Sequence, residues 1–360
     1  MATFHYGGQA VMEGVMMRGR REMAVAVRAP DGEILYYQEP LTSWVYRSKV
    51  MKWPFLRGIV LLWDALLLGT RALVFSANVG LQEEESAPAV TVAPDVAPVL
   101  LPNPEKKRGK GKEAKPEEPT ELSGAALWIT VAVSLLFGIG LFFVVPLVAI
   151  HFADRHIHSS VLSNVIEGCI RLGILVLYLG LIGLLPDVKR VFRYHGAEHK
   201  TIHAYERGLP LDAEHIRPMP IEHPRCGTGF LLVVVLFSIV IFALLGRPPF
   251  LLRILSRIIF VPVIAGIAYE FLRLGAQFYH HRWMRVLLAP SMALQKLTTR
   301  TPDDAMLDVA AVALRRVLAA DEVIERAAIA DGAVQADQKG QPMHGAPVMA
   351  AMSTSVGADG

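Results

Sequence analysis

The sequence predicts a mainly α, polytopic membrane helix bundle. It would hold about four transmembrane helices, an interfacial or re-entrant helix ahead of them, and a small N-terminal β-hairpin module. Three observations carry this expectation. Apolar residues are 53% of the 360-residue chain and charged residues only 19%, against roughly 45–50% and 25% in soluble domains; mean hydropathy is +0.39. The apolar residues are concentrated in blocks near the roughly 20 residues that a helix needs to cross hydrocarbon, instead of being scattered with the period of a soluble amphipathic element. Polar, turn-rich segments separate the blocks and hold most of the basic residues.

Residues 1–52 read as the β-rich module. Met23–Val27 and Ile34–Tyr37 flank a Pro30-Asp31-Gly32 turn, which is a hairpin signal. The glycines within Gly7–Gly19 mark a tight loop packed on that hairpin, because glycine allows close backbone approach and positive φ. Segment 53–80 is expected to lie on or re-enter the membrane: its stretch 55–77 is apolar but carries Asp64 and Arg71, which are costly at a bilayer centre.

Residues 81–121 read as a disordered linker rich in Pro and Ala, with Lys106, Lys107, Arg108, Lys110, Lys112 and Lys115 near its end. No aromatic stacking platform accompanies these charges, so nucleic acid is not an expected partner. Just ahead of a membrane helix they fit a positive-inside signal contacting anionic lipid headgroups. The bundle occupies 122–285, with spans near 125–150, 167–186, 229–246 and 257–275. Its loop 188–228 is placed in the cytoplasm by Lys189, Arg190, Arg193, Lys200, Arg207, Arg217 and Arg225, and the chain in the cytoplasmic membrane as a multi-pass protein. Arg247, Arg253 and Arg257, at the opposite hairpin, run against that orientation.

The N-terminus lacks a basic segment followed by an apolar run, so no cleavable signal peptide is expected. Two cysteines, Cys169 and Cys226, give no disulfide framework. After the last span, His280, His281, Arg282, Trp283 and Arg285 form an interfacial belt. Residues 286–330 are read as C-terminal amphipathic helices, one of them opened by Thr301-Pro302-Asp303-Asp304 and running to about Ala319. The tail 331–360 is expected to be disordered.

The chemistry is concentrated in Tyr194–Glu206. At about 100° per residue, His195, Glu198, His199, His203 and Glu206 share one helical face. Histidines at i and i+4 are spaced to hold one Zn²⁺, and His195-x-x-Glu198-His199 matches the H-x-x-E-H pattern in which the glutamate is the general base. His203 extends the face by a turn, and Glu206 is placed to ligate a metal or orient a ligating imidazole. His223 and Cys226, just before the third span, are zinc-type donors on a loop able to fold back on this helix. Glu270, inside an apolar helix, is either a downstream carboxylate ligand or a partner of Arg273.

At three motifs the chain resembles the YqhQ-like family of bacterial membrane proteins: GGQAVMEGVMMRG at Gly7–Gly19, RVFRYHGAEHKTIHAYE at Arg190–Glu206 and HPRCGTGF at His223–Phe230. The resemblance covers residues 5 to about 318 apart from the linker. It implies a domain of unknown function labelled a metal-dependent enzyme. Together with the residue pattern, the expected function is a membrane-embedded zinc-dependent hydrolase with Glu198 as base and the metal, Zn²⁺ or another divalent transition ion, on His195, His199 and a third ligand. Two alternatives stand beside it: a non-catalytic metal-binding membrane protein, and a metal-free scaffold whose histidine face packs on a partner.

Overall fold

The computed structural model of the chain describes residues 4–41, 53–86, 124–325, 329 and 331–343. The expected basic linker from residue 87 onward and the tail from residue 344 lie outside the described residues. Five strands are present: β1 (Gly7–Val11), β2 (Gly14–Arg18), β3 (Glu22–Arg28), β4 (Ile34–Pro40) and, far downstream, β5 (Val334–Gln335). The helices are α1 (Leu56–Ser86), α2 (Gly124–Ile139), α3 (Val145–Ala153), α4 (Ser160–Ile182), α5 (Pro186–Glu206), α6 (Ala213–Ile216), α7 (Gly227–Leu245), α8 (Phe250–Gln277), α9 (Arg282–Thr298) and α10 (Asp304–Ala320). A π-helical turn, Gly140–Val144, joins α2 to α3.

β1 to β4 form an antiparallel meander, with Gln9 opposite Met16 and Val25 opposite Tyr37. The turn at Pro30–Gly32 therefore joins two strands of a larger sheet. Gly7–Gly19, expected as a tight loop, is instead the strand pair β1–β2. The alternation that marks a half-exposed strand is hidden here because the sheet is covered on both faces. Val15, Met17, Ala24 and Ala26 pack on α5 and α10, whereas Met16, Met23, Val25 and Leu35 pack on Leu68, Ala72, Phe75 and Val79 of α1. The two-residue β1–β2 turn puts Glu13 at φ 53°, sparsely populated for a side-chain-bearing residue. Glu13 is held there by its carbonyl, which accepts from Arg28 N at 2.8 Å, and by its carboxylate, which accepts from Arg190 Nη2 at 2.6 Å.

Among the described residues, five helical stretches are long and apolar enough to cross a membrane: Leu56–Leu81, Ile129–His156, Ser160–Ile182, Gly227–Leu245 and Phe250–Gln277. Large side chains on them, such as Leu136, Leu177, Leu244 and Leu251, are exposed. Water does not tolerate so much contiguous apolar surface, and lipid does.

The first stretch differs in how its charges are met. Asp64 pairs with Arg18 of β2 at 3.3 Å, Arg71 with Glu39 of β4, and Arg57 with Glu270 of α8. The charges that would be costly in lipid are thus turned to the sheet and to α8. α1 also runs six residues into the expected linker, through Ser86.

The C-terminal part departs from expectation in two places. α10 opens where expected, with the Asp303 side chain accepting from Met306 N at 3.0 Å, but twelve of its 17 residues are buried, so it is core and not an exposed amphipathic helix. The tail, expected to be disordered from 331, contributes β5, which pairs parallel with β4 at Leu35 and Tyr36.

Candidate metal centre

α5 begins with Pro186 at its first turn, where a missing N–H costs nothing, and Asp187 beside the helix N-terminus. From there the 3.6-residue period carries the histidine face beneath β1, against the loop 217–226 and against the end of α9. Glu198, His199 and His223 are each 5% exposed or less.

Backbone carbonyls fix the imidazoles. His195 Nδ1 lies 2.9 Å from Thr298 O, and His199 Nδ1 lies 2.6 Å from Ile221 O. A carbonyl only accepts, so each Nδ1 carries the proton and each Nε2 keeps its lone pair. Both Nε2 atoms turn toward the same region. His195 Nε2 is 3.3 Å from Cys226 Sγ, and donor atoms of His195, His199 and Cys226 all lie within 4.8 Å of one another. Cys226 is the N-cap of α7, where Thr228 N–H donates to its sulfur at 3.4 Å.

Glu198 divides its carboxylate between two tasks. Oε1 accepts from Gly8 N at 2.9 Å, while Oε2 stands 4.0 Å from His195 Nε2 and 3.9 Å from His199 Nε2. Burial pushes the His199 pKa down, but the Cys226 contact and the Glu198 charge outweigh it, and the net direction is up.

The remaining candidates form a second group. Donor atoms of His203, Glu206 and His223 also lie within 4.8 Å of one another, but their hydrogen bonds differ. His203 Nε2–H donates to Glu222 O at 2.9 Å. His223 Nδ1 accepts from Arg225 N at 3.3 Å, so in the neutral ring Nε2 bears the proton. Nε2 is buried with no hydrogen-bond partner among the described residues, and Glu206 Oε2 is 3.7 Å away. Burial holds the His223 pKa down at about 4. Glu206 is also partly desolvated, but His223 and the Arg225 guanidinium carry its pKa down to about 2. This is a His–Glu–Arg network beside the first group, so the expected single row of ligands on α5 is divided in two.

Glu270 joins neither group. Its carboxylate accepts from Arg57, with Nε at 2.6 Å, a partner other than Arg273, which the sequence offered as one of two readings beside a ligand role. Lys200, counted among the orientation-setting charges, is buried on α5 and donates to Arg217 O at 2.7 Å and Met219 O at 2.5 Å. Burial lowers its pKa, so it works as a strut for the loop and not as a surface charge.

Several contributors were missed in the sequence, the Ile221 carbonyl that holds His199 among them. Gly8 supplies the amide to Glu198, and a Cβ there would stand 2.4 Å from Met16 O and 3.1 Å from Glu198 Cγ. Thr298 supplies a main-chain carbonyl, which no side-chain pattern reveals. Gln295, 1% exposed, clamps His223 by accepting from its N–H and donating to its C=O, both at 2.9 Å. Only Gly8 had a readable signal, as one of the glycines that allow close backbone approach.

Comparison with known proteins places the chain in a family. A family model described as a protein of unknown function, DUF1385, matches residues 53–320. The chain is 31% identical over 326 residues to the uncharacterized protein YqhQ of Bacillus subtilis (strain 168), covering 89% of this chain and 94% of that protein. No solved structure matches. The chain belongs to this YqhQ-like family, DUF1385.

Proposed function

We propose that the protein is a multi-pass membrane protein whose α5 and α7 hold a zinc-type divalent ion on His195, His199 and Cys226, with Glu198 as general base of a hydrolase-like centre. One observation carries the reading: two imidazoles whose tautomers are fixed by carbonyls turn bare Nε2 atoms toward the same thiol. Two nitrogens and one sulfur are a zinc-type donor set, and three protein ligands are the number that leaves a coordination position for chemistry. A cation held there would act as a Lewis acid and lower the pKa of water.

The chain's own residues supply the rest. The carbonyls of Thr298 and Ile221 hold the rings and raise their basicity as donors. Gly8 N–H anchors one oxygen of Glu198 and leaves the other turned toward the histidines, as a positioned base requires. The basic residues on 188–228 support a cytoplasmic face for this centre.

A second reading is a closed, non-catalytic metal site. It is favoured by the near-equal distances, 4.0 and 3.9 Å, from Glu198 Oε2 to the two Nε2 atoms, which also suit a fourth ligand. Metal analysis of the purified protein separates the two. Expected is about one transition-metal ion per chain, lost in His195→Ala, His199→Ala and Cys226→Ala and kept in Glu198→Gln. Loss in Glu198→Gln as complete as in the histidine variants would select the closed site. No metal in the wild-type protein would end both readings.

A further inference from the structure

At the end of α7 away from Cys226, roughly 28 Å off by helical rise over its 19 residues, the bundle encloses a second polar cluster. Glu167 of α4 accepts from Arg171, Arg253 and Arg257, and Asp154 accepts from Arg247 and Arg253. Glu167, Arg171, Arg253 and Arg257 are each at least 95% buried. Four guanidinium groups thus share two carboxylates, an excess of two positive charges in an apolar bundle, where unmatched charge is costly. Arg155, exposed at the rim, adds another and has no carboxylate partner among the described residues.

Beside this cluster lies a wide-mouthed chamber of about 610 Å³, more open than enclosed, bounded by His151, Asp154, Arg155, Arg247 and Arg253 on its polar side and by Phe152, Pro248 and Phe250 on its apolar side. Two of the lining arginines are short of acceptors: Nε of Arg247 and Nε of Arg253 are buried without a hydrogen-bond partner among the described residues. Asp154 does not meet that need, since its oxygens are already taken by Arg247 and Arg253, each at 2.8 Å, and by the Ser163 hydroxyl at 2.5 Å. The walls are braced. Asn164 Nδ2 donates to Gly246 O at 3.0 Å, tying α4 to the α7–α8 connection, and Arg247 Nη1 donates to Ile157 O at 2.7 Å. Deeper in the buried cluster, Arg171 Nε donates to Phe142 O, in the π-helical turn, at 2.8 Å.

We propose that this chamber binds a phosphate-type oxyanion, a phosphomonoester or inorganic phosphate. A dianion matches the excess of two charges in the bundle, with Arg155 at the rim as a further donor, and its oxygens supply the acceptors that guanidinium groups take in fork geometry. A carboxylate would match only half the excess. The chamber volume is that of a small-ligand pocket, large enough for a phosphate and part of its substituent. Its apolar rim of Phe152 and Phe250, at the end of helices long enough to cross a bilayer, admits either a lipid headgroup or a free phosphate.

The test uses the full-length protein in phosphatidylcholine nanodiscs, with inorganic phosphate titrated by calorimetry. A second arm measures retention of phosphatidic acid against phosphatidylcholine when nanodiscs are assembled from a mixture of the two. Phosphatidic acid enriched over phosphatidylcholine and displaced by inorganic phosphate supports a headgroup ligand. Phosphate binding without lipid enrichment supports a free one. In either case Arg155→Gln, a surface change that leaves the core intact, should weaken binding by about 10-fold or more, the usual worth of one charge-assisted contact. Arg247→Gln should weaken it further. Absence of both phosphate binding and lipid enrichment, or binding unchanged in both variants, overturns the proposal.

Discussion

Gly8 and Glu198, 190 residues apart in the chain, meet as amide and carboxylate at 2.9 Å. The contact joins the first strand of the N-terminal sheet to the most polar helix of the bundle, and it fixes which oxygen of Glu198 faces the histidines. Gly8→Ala would put a methyl 2.4 Å from Met16 O, so β1 must shift. The expected result is a loss of about 1–3 kcal/mol in stability and, with it, of the Glu198 anchor. Thermal unfolding of the variant in detergent checks this; an unchanged midpoint would mean that β1 is not seated on α5 as described.

Gln295 is expected to matter through His223 alone. Gln295→Leu keeps the volume but leaves the buried N–H of His223 unpaired, at about 1–3 kcal/mol, and its C=O with the Cys226 N–H alone at 3.2 Å. Stability should fall by an amount that Gln295→Glu, which can accept but not donate when ionised, only partly restores. Equal unfolding midpoints for wild type and Gln295→Leu would remove the clamp from the account.

The His203–Glu206–His223 network sets a pH dependence with a definite sign. His223 is held down at about 4 from an ordinary 6.5, so between those values the unfolded chain takes up a proton that the folded chain refuses. Stability is therefore lost as pH falls through that window. Glu206, lowered from 4.5 to about 2, contributes stability that is present above 4.5 and is lost as pH falls toward 2. His199, raised, has the opposite sign, so the informative quantity is a difference between proteins. His223→Gln should flatten the pH 6.5–4 slope of the unfolding midpoint relative to wild type, and identical slopes would contradict the assignment.

Orientation is best read at Arg207. Lys200 is buried and so reports poorly, whereas Arg207 is exposed in the same loop segment. With 188–228 in the cytoplasm, Arg207→Cys should resist a membrane-impermeant maleimide in intact cells and react after permeabilisation. Labelling in intact cells would reverse the topology, and with it the side on which the arginine chamber opens.

Much of the helical framework was legible because it is local. Long apolar blocks announce their helices, and Asp303 caps α10 from the adjacent position. His195, Glu198 and His199 share a face by arithmetic alone, and Cys226 was expected to fold back on them. The rest depends on partners distant in sequence. Gly7–Gly19 became strands only because α1 and α10 cover both faces of the sheet, which erases the alternation that would have marked them. Glu270 found Arg57, more than 200 residues earlier, in place of Arg273 three positions on. Arg247, Arg253 and Arg257 looked like an inconsistency in a topology rule, yet their role is set by Glu167 and Asp154 on other elements.

β5 gives the sheet a guarded border. Without Val334 and Gln335, the main-chain groups of Leu35 and Tyr36 would face outward in an unpaired row, the template on which separate chains zip together. A protein shortened after α10 would keep every strand of the meander, every membrane-length helix and every candidate ligand, yet would be prone to self-association through that row. Trimming the C-terminus for crystallisation should therefore stop beyond Pro342, whose bridge to Ala336 closes the last turn.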